Sequence, residues 1–246
     1  MKHNVSKAAL LVFSMLPAFA FAAHWSYVGK ESPEHWSELN PDYKLCQQGQ
    51  NQSPIDIHAV LQAHISPLEV NYQDAPNSIL NNGHTIQVSF PSEANDNITV
   101  DGEKFTLQQF HFHAPSENTV NGKHYAMELH LVHKNTQGEI AVVAVMFEEG
   151  KANPELDKLW QAMPATADQS QPLTQKIDIN QLLPKDLAHY RFSGSLTTPP
   201  CSEGVRWLVL KHSITLSAEQ LKKFTDVMHH DNNRPTQPLH GRVVVE

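Results

Sequence analysis

Three histidines with strand-like spacing are the feature that most constrains this chain. His111 and His113 lie two residues apart in Gln-Phe-His-Phe-His, and His130 closes the sequence Glu-Leu-His that begins at Glu128. Side chains at positions i and i+2 of a β-strand face the same side, so His111 and His113 would project together while the intervening phenylalanines pack the other way. A neighbouring strand would then supply His130. Three neutral imidazoles without a fourth protein ligand are typical of a catalytic zinc site with one open position.

Polar residues on the same two strands are placed to orient these imidazoles. Glu128 lies two residues before His130 and would accept its second N–H, and Gln109 would do the same for His111. The alternative is that these are ordinary surface or core histidines of two hairpin strands. Polar partners on both strands favour the metal site. His133 would point to the opposite strand face from His130, which excludes it as a ligand.

Short apolar or alternating runs dominate the remaining sequence. Pro, Asn, Gly and Asp separate them, which is typical of a β-rich chain. The runs cover residues 84–90, 105–114, 124–132, 140–147, 205–210 and 242–245. A capping box of Ser217 and Gln220 predicts one helix, and Asn153-Pro154 predicts a second that continues to Met163. No internal repeat or long linker interrupts the chain, so residues 23–246 are expected to form one domain.

The N-terminus predicts export. Lys2 and Lys7 precede an apolar run from Ala8 to Phe21, and Ala20-Phe21-Ala22 fits a cleavage site, so residues 1–22 are interpreted as a secretory signal peptide. A membrane anchor is the alternative, but the run is short for a membrane span and lacks a stop-transfer flank. The expected location is the periplasm, with the extracellular space as the alternative, and no membrane span is expected after cleavage.

Charge and cysteine content narrow the partners and the compartment. The chain carries a formal net charge of −8, and the signal peptide contains two lysines and no acidic residue, so cleavage makes it more acidic. This acidity argues against nucleic acid or an anionic membrane surface as a partner. Cys46 and Cys201 are expected to form a disulfide after export, where such bonds persist; two free thiols are the alternative.

Several motifs together resemble the α-class carbonic anhydrases, in particular their exported bacterial members. The resemblance rests on L-N-N-G-H-T, Q-F-H-F-H-A-P-S-E-N-T, A-M-E-L-H-L-V-H, G-S-L-T-T-P-P-C and N-R-P-T-Q-P, and extends over about residues 25–245. It implies a mostly β fold with short peripheral helices, a large and mainly antiparallel central sheet, and a conical cleft containing one Zn²⁺ per chain. It also implies that the disulfide pins a loop of the active site.

The resemblance further implies a reaction and the residues that carry it. The family hydrates carbon dioxide reversibly to bicarbonate and a proton, by attack of zinc-bound hydroxide. Zinc lowers the pKa of its bound water to about 7. Thr197 would accept the hydroxide proton while donating its own to Glu117, His84 would shuttle protons to solvent, and the carbonyl of Asn232 would accept the free N–H of His113.

The same resemblance assigns a carbon dioxide pocket and a proton network. The pocket residues are Val132, Val142, Leu196, Thr198, Val205 and Trp207. The proton network adds Tyr27, Asn82 and Gln87 to His84. The expected partners are carbon dioxide, water and bicarbonate, and the chain is expected to be a monomer or a homodimer.

Two competing functions differ in class. A non-enzymatic relative would usually lose a ligand histidine, whereas His111, His113 and His130 are all present. A dedicated zinc hydrolase or esterase would be expected to carry a G-x-S-x-G elbow or an H-E-x-x-H helix, and the sequence contains neither.

Overall fold

The structure is a computed structural model that describes residues 24–246. The predicted signal peptide, residues 1–22, lies outside the described residues and stays a prediction. Within residues 24–246, no helix has both the length and the apolar character needed to cross a membrane.

The fold is mostly β, as predicted. The strands are β1 (Asp56–Ile57), β2 (Glu69–Asn71), β3 (Ser78–Asn81), β4 (Ile86–Ser89), β5 (Asn97–Val100), β6 (Glu103–His113), β7 (Thr119–Val120), β8 (Met127–Lys134), β9 (Ile140–Glu149), β10 (Gln169–Pro172), β11 (His189–Ser195), β12 (Glu203–Leu210) and β13 (Ile214–Leu216). The α-helices are α1 (Trp36–Leu39), α2 (Leu45–Gln48), α3 (Pro154–Ala162) and α4 (Ala218–Met228), with 3₁₀ turns at Gly29–Glu31, Pro41–Tyr43 and Ile179–Leu182.

One large sheet organises the domain. Eight strands follow the order β10-β3-β4-β6-β8-β9-β12-β11, while β5 also pairs with β6, β2 with β5 and β13 with β9. Most ladders are antiparallel, but β9 pairs in parallel with both β12 and β13, so the sheet is mixed. Separately, β1 and β7 form a small parallel pair.

The central strands give the two sheet faces different tasks. On β6, Phe110 and Phe112 are fully buried and alternate with His111 and His113 on the opposite face. The Phe112 ring lies 5.0 Å from the ring of Trp160 on α3, measured between centroids. The helices therefore cover the phenylalanine face of β6, and the histidine face is left to form a site.

The predicted helices are present and the predicted strands mostly so. Ser217 and Gln220 form the capping box of α4, and the Asn153 side chain caps α3. The run at 242–245 is an exception, because it is not a strand. Val245 makes only isolated bridges, to Arg191 on the edge strand β11 and to Leu61, so the chain end covers that edge at one point.

Candidate metal centre

Strand register brings the three histidines together. His111 and His130 are direct cross-strand partners of the antiparallel pair β6 and β8, and His113 follows on the same face of β6. One nitrogen from each of the three imidazoles lies within 4.8 Å of the other two. His113 and His130 are buried, whereas His111 is half-buried, so the site opens on the side of His111.

Each imidazole uses its other nitrogen to donate a hydrogen bond to an oxygen. The contacts are His111 Nδ1 to Gln109 Oε1 at 2.8 Å, His113 Nδ1 to the backbone oxygen of Asn232 at 2.7 Å, and His130 Nε2 to Glu128 Oε1 at 2.9 Å. These oxygens only accept, so the bonded nitrogens must carry the hydrogens. The lone pairs are left on His111 Nε2, His113 Nε2 and His130 Nδ1, which are the nitrogens that converge.

The protonation states suit a metal. Burial lowers the pKa of all three imidazoles, and charge on the neighbouring histidines lowers those of His111 and His130 further. The rings are therefore neutral at pH 7, as ligation requires. His113 Nε2 is buried without a hydrogen-bond partner, which is costly unless something binds there. Three neutral imidazole lone pairs fit a zinc ion.

A buried carboxylate network holds His130. Glu128 Oε2 accepts hydrogen bonds from the backbone nitrogens of Glu117 and Asn118, at 2.7 and 2.8 Å, and Oε1 accepts one from Asn118 Nδ2 at 2.7 Å. Burial raises the pKa of Glu128, and these hydrogen bonds act in the opposite direction. The network fixes the loop that carries Glu117 against the strand that carries His130.

Glu117 lies at the centre of the site. Its Oε1 accepts a 2.8 Å hydrogen bond from the backbone nitrogen of Arg234. Its Oε2 lies 3.6 Å from His113 Nε2 and 3.9 Å from His130 Nδ1, too far for hydrogen bonds. Burial raises the pKa of Glu117 to about 8, whereas the Arg234 N–H and the Thr197 hydroxyl lower it. A dication held by the histidines would favour the ionised carboxylate.

An apolar wall stands beside His130. Val132 on β8, Val142 on β9 and Trp207 on β12 are successive register partners across three strands. The Trp207 ring meets the His130 ring edge-on, with 4.9 Å between centroids. Val205 and Leu196 pack in the same cluster. Five of the six predicted pocket residues thus lie together, and the sixth, Thr198, belongs to the polar turn that follows Leu196.

His84 lies against an aromatic ring. It stacks on Trp25 with 3.7 Å between centroids and a 7° interplanar angle. Its backbone oxygen accepts a hydrogen bond from Asn232 Nδ2 at 3.1 Å, which links it to the residue that orients His113. Burial, followed by the charge of His24, lowers the pKa of His84 to about 4. In this stacked position the ring is neutral at pH 7.

The other proton-network candidates are spread around His84 and the histidine face. Asn82 Oδ1 accepts hydrogen bonds from the backbone nitrogens of His84 and Thr85, so its side chain forms the turn that carries His84. Gln87 on β4 is the cross-strand partner of His111. The Tyr27 ring is buried, with 5.8 Å between its centroid and that of the Trp36 ring. Burial raises the pKa of the Tyr27 hydroxyl well above its ordinary value.

Comparison with known proteins decides the family. The model of the eukaryotic-type carbonic anhydrase family matches residues 31–246. The chain belongs to this family. It is therefore an enzyme of the carbonic anhydrase type, a lyase.

Individual relatives match all or nearly all of the chain. A carbonic anhydrase of Klebsiella pneumoniae is 61% identical over 246 residues and covers 100% of both chains. A carbonic anhydrase of Pectobacterium carotovorum is 50% identical, again over 100% of both. The solved structure of an α-carbonic anhydrase from Thermovibrio ammonificans, in complex with the inhibitor sulfanilamide, has a TM-score of 0.89 and 51% identity, covering 92% of this chain and 100% of that one.

Three neighbours of the site were missed by the sequence analysis: Trp25, Asn118 and Arg234. Asn118 and Arg234 lie inside motifs that carry the family resemblance, and Trp25 lies at its N-terminal limit, but only the fold shows what each residue contacts. Asn118 and Arg234 are buried and make their contacts in the protein interior. In the sequence, the one available signal for them was a polar residue between positions of a motif.

Proposed function

We propose that the protein catalyses the reversible hydration of carbon dioxide to bicarbonate and a proton, with one zinc ion held by His111, His113 and His130. The observation that carries the proposal is the convergence of three lone pairs whose ring N–H groups are all engaged elsewhere. When bound, zinc supplies hydroxide at neutral pH by lowering the pKa of a water molecule.

Glu117 and Thr197 are proposed to aim the nucleophile. An ionised Glu117 can only accept, so the Thr197 hydroxyl would donate its hydrogen to that carboxylate. The threonine oxygen would then accept a hydrogen from the nucleophile, turning an oxygen lone pair toward the carbon atom. Both residues are buried, which limits competition from bulk water.

The apolar wall is proposed to hold carbon dioxide. Carbon dioxide has no net charge, so a dry surface next to His130 suits it better than a charged pocket. The wall consists of Val132, Val142, Leu196, Val205 and Trp207. Thr198 would line the polar side of the same space.

His84 is proposed to carry the product proton to solvent, with Tyr27, Asn82 and Gln87 supporting the intervening water. A relay works best with a pKa near the operating pH. Burial is the largest cause of the low pKa in the Trp25-stacked position, so movement of the ring into water would return the pKa toward its ordinary value. The relay thus requires His84 to leave Trp25 during turnover.

Stopped-flow measurement of carbon dioxide hydration tests the proposal. Purified protein should accelerate hydration, lose that activity on dialysis against a zinc chelator and regain it when zinc is restored. The variant His212→Ala, which changes an exposed histidine far along the chain from the ligands, should respond identically. A zinc-loaded protein that does not exceed the buffer rate would overturn the proposal.

Export is a separate part of the proposal. The disulfide between Cys46 and Cys201 agrees with an oxidising compartment, and we assign the protein to the periplasm. Intact-mass analysis of periplasmic protein should show loss of residues 1–22. Recovery of the uncleaved chain from the cytoplasm would contradict the assignment.

A further inference from the structure

The side chain of Arg234 is a buried cation whose hydrogen-bond acceptors are uncharged. The residue is 1% exposed. Its guanidinium donates to Gln52 Oε1 at 2.9 Å and to the backbone oxygens of Ser53 and Cys46, at 2.8 and 2.6 Å. Buried charges are costly unless they are paired and hydrogen-bonded. A guanidinium placed deep in a protein and bound by neutral groups therefore requires a reason.

Glu117 supplies the opposite charge without touching the guanidinium. Burial lowers the pKa of the Arg234 guanidinium to about 10, and the charge of an ionised Glu117 acts in the opposite direction. The backbone nitrogen of Arg234 meanwhile donates to Glu117 Oε1 at 2.8 Å. Arg234 thus contacts the Glu117 carboxylate with its backbone N–H, and the positive charge of its side chain favours the ionised form of that carboxylate. The guanidinium itself is held by Gln52 and by two backbone oxygens.

The same guanidinium is linked through Gln52 to the turn that carries Thr197. Gln52 accepts from Arg234 through Oε1 and donates through Nε2 to the backbone oxygen of Cys201, at 3.0 Å. The backbone nitrogen of Cys201 donates to the oxygen of Thr198 at 2.9 Å, which closes the turn. A continuous path of hydrogen bonds therefore runs from Glu117 through Arg234, Gln52 and Cys201 to Thr198, the residue that follows Thr197.

We propose that Arg234 and Gln52 form a positioning pair that sets the placement of Glu117 relative to Thr197. The inference rests on the proposed function, in which those two residues aim the nucleophile. Neither Arg234 nor Gln52 needs to touch substrate, since the pair acts by holding both members of the orienting contact. Small errors of placement in an active site are costly, and a displacement of about 1 Å can reduce a rate about a hundredfold.

Substitutions on both sides of the link test the pair. Arg234→Met and Gln52→Met remove the side-chain hydrogen bonds and keep a side chain of similar length. Arg234→Lys keeps the positive charge but loses the paired donors of the guanidinium. We expect kcat/KM for carbon dioxide hydration to fall about tenfold or more in the two methionine variants and less in the lysine variant, with one zinc per chain retained. Arg191→Met, which breaks the Arg191–Asp101 pair on β11, is the matched control and should keep parental kcat/KM.

A double-mutant cycle separates positioning from general destabilisation. In a Glu117→Gln variant the orienting contact between residue 117 and Thr197 is already broken. Adding Arg234→Met or Gln52→Met should therefore lower kcat/KM by less than about twofold relative to Glu117→Gln alone. Additive losses in that background, or parental kcat/KM in a folded, zinc-loaded Gln52→Met, would overturn the proposal. If Arg234→Met does not fold, Gln52→Met and Arg234→Lys carry the same cycle. An inactive parent enzyme would instead contradict the proposed function.

Discussion

The tautomers of three histidines determine whether β6 and β8 can bind a metal. Each ring donates one N–H to an oxygen atom that can only accept, so the other ring nitrogen must carry a lone pair. The acceptors differ in kind: a side-chain amide, a backbone carbonyl and a carboxylate. Losing one of them would leave a ring free to rotate, because these contacts orient the ligand as well as polarise it.

Replacing His130 by alanine should leave a site with two ligands that holds zinc poorly. The fold should survive, because the other central strands retain their pairing. Metal analysis after dialysis against a mild chelator measures the effect, with His212→Ala as the control variant. Stoichiometric zinc in His130→Ala would be incompatible with the ligand assignment.

Replacing His84 by alanine should slow turnover in weak buffer and leave kcat/KM nearly intact, since proton release follows the carbon chemistry. Added imidazole should restore the rate by accepting the proton directly. Stopped-flow kinetics at low and high buffer concentration measure both effects. Parental turnover in dilute buffer, or no rescue by imidazole, would remove His84 from the proton path.

At the scale of secondary-structure elements, the sequence predicted what repeats with the strand period. His111, His113 and the flanking phenylalanines alternate, and so β6 and its two faces could be predicted. The parallel pairing of β9 with β12 and β13 could not, because it depends on how distant segments return to one sheet. The contacts of Arg234 were equally hidden, since Gln52 and Cys46 lie more than 180 residues away in sequence.

The hydrogen bond between His133 on β8 and Tyr72, directly after β2, should make the free energy of unfolding depend on pH. His133 is buried on β8; its Nε2 contacts the Tyr72 hydroxyl at 2.7 Å, and burial lowers its pKa to about 3. The unfolded chain, with a histidine pKa near 6.5, binds the proton first as pH falls. Stability contributed by His133 is therefore complete above about pH 6.5 and is lost toward pH 3, at up to about 1.4 kcal/mol per pH unit.

His133→Gln should flatten this dependence. Urea unfolding of the metal-free protein between pH 7 and 4 measures the free energy of unfolding, and metal-free protein avoids the separate effect of acid on zinc binding. His212→Gln is the exposed control. Equal slopes for the parent and His133→Gln would contradict the assignment of a buried neutral imidazole.

At the scale of the whole molecule, two layers of packing hold the site between them. The larger apolar cluster lies on the phenylalanine face of β6 and includes α3 and α4, and the smaller one contains the proposed carbon dioxide wall. A third cluster joins Trp36 and Tyr27 to the disulfide. The covalent bond is thus built into the same part of the molecule as the aromatic residues beside His84.

The Cys46–Cys201 bridge should stabilise the molecule and hold the Thr197 turn. It joins residues 155 positions apart, and closing so long a loop contributes about 4–5 kcal/mol in the chain-entropy account. Cys201 lies four residues past Thr197, and its backbone oxygen accepts from Gln52. Reduction should therefore lower the thermal unfolding temperature and reduce carbon dioxide hydration before zinc is lost.

Three measurements on exported protein check this order of events. Alkylation without reductant, followed by intact-mass analysis, should find both cysteines protected. After reduction, activity should fall while metal analysis still gives one zinc per chain, since the three ligand histidines lie on β6 and β8 and neither cysteine is on these strands. The double variant Cys46→Ser with Cys201→Ser should match the reduced protein, which separates loss of the bridge from side effects of the reductant. Two alkylated cysteines in fully active enzyme would refute both the pairing and its role in holding Thr197.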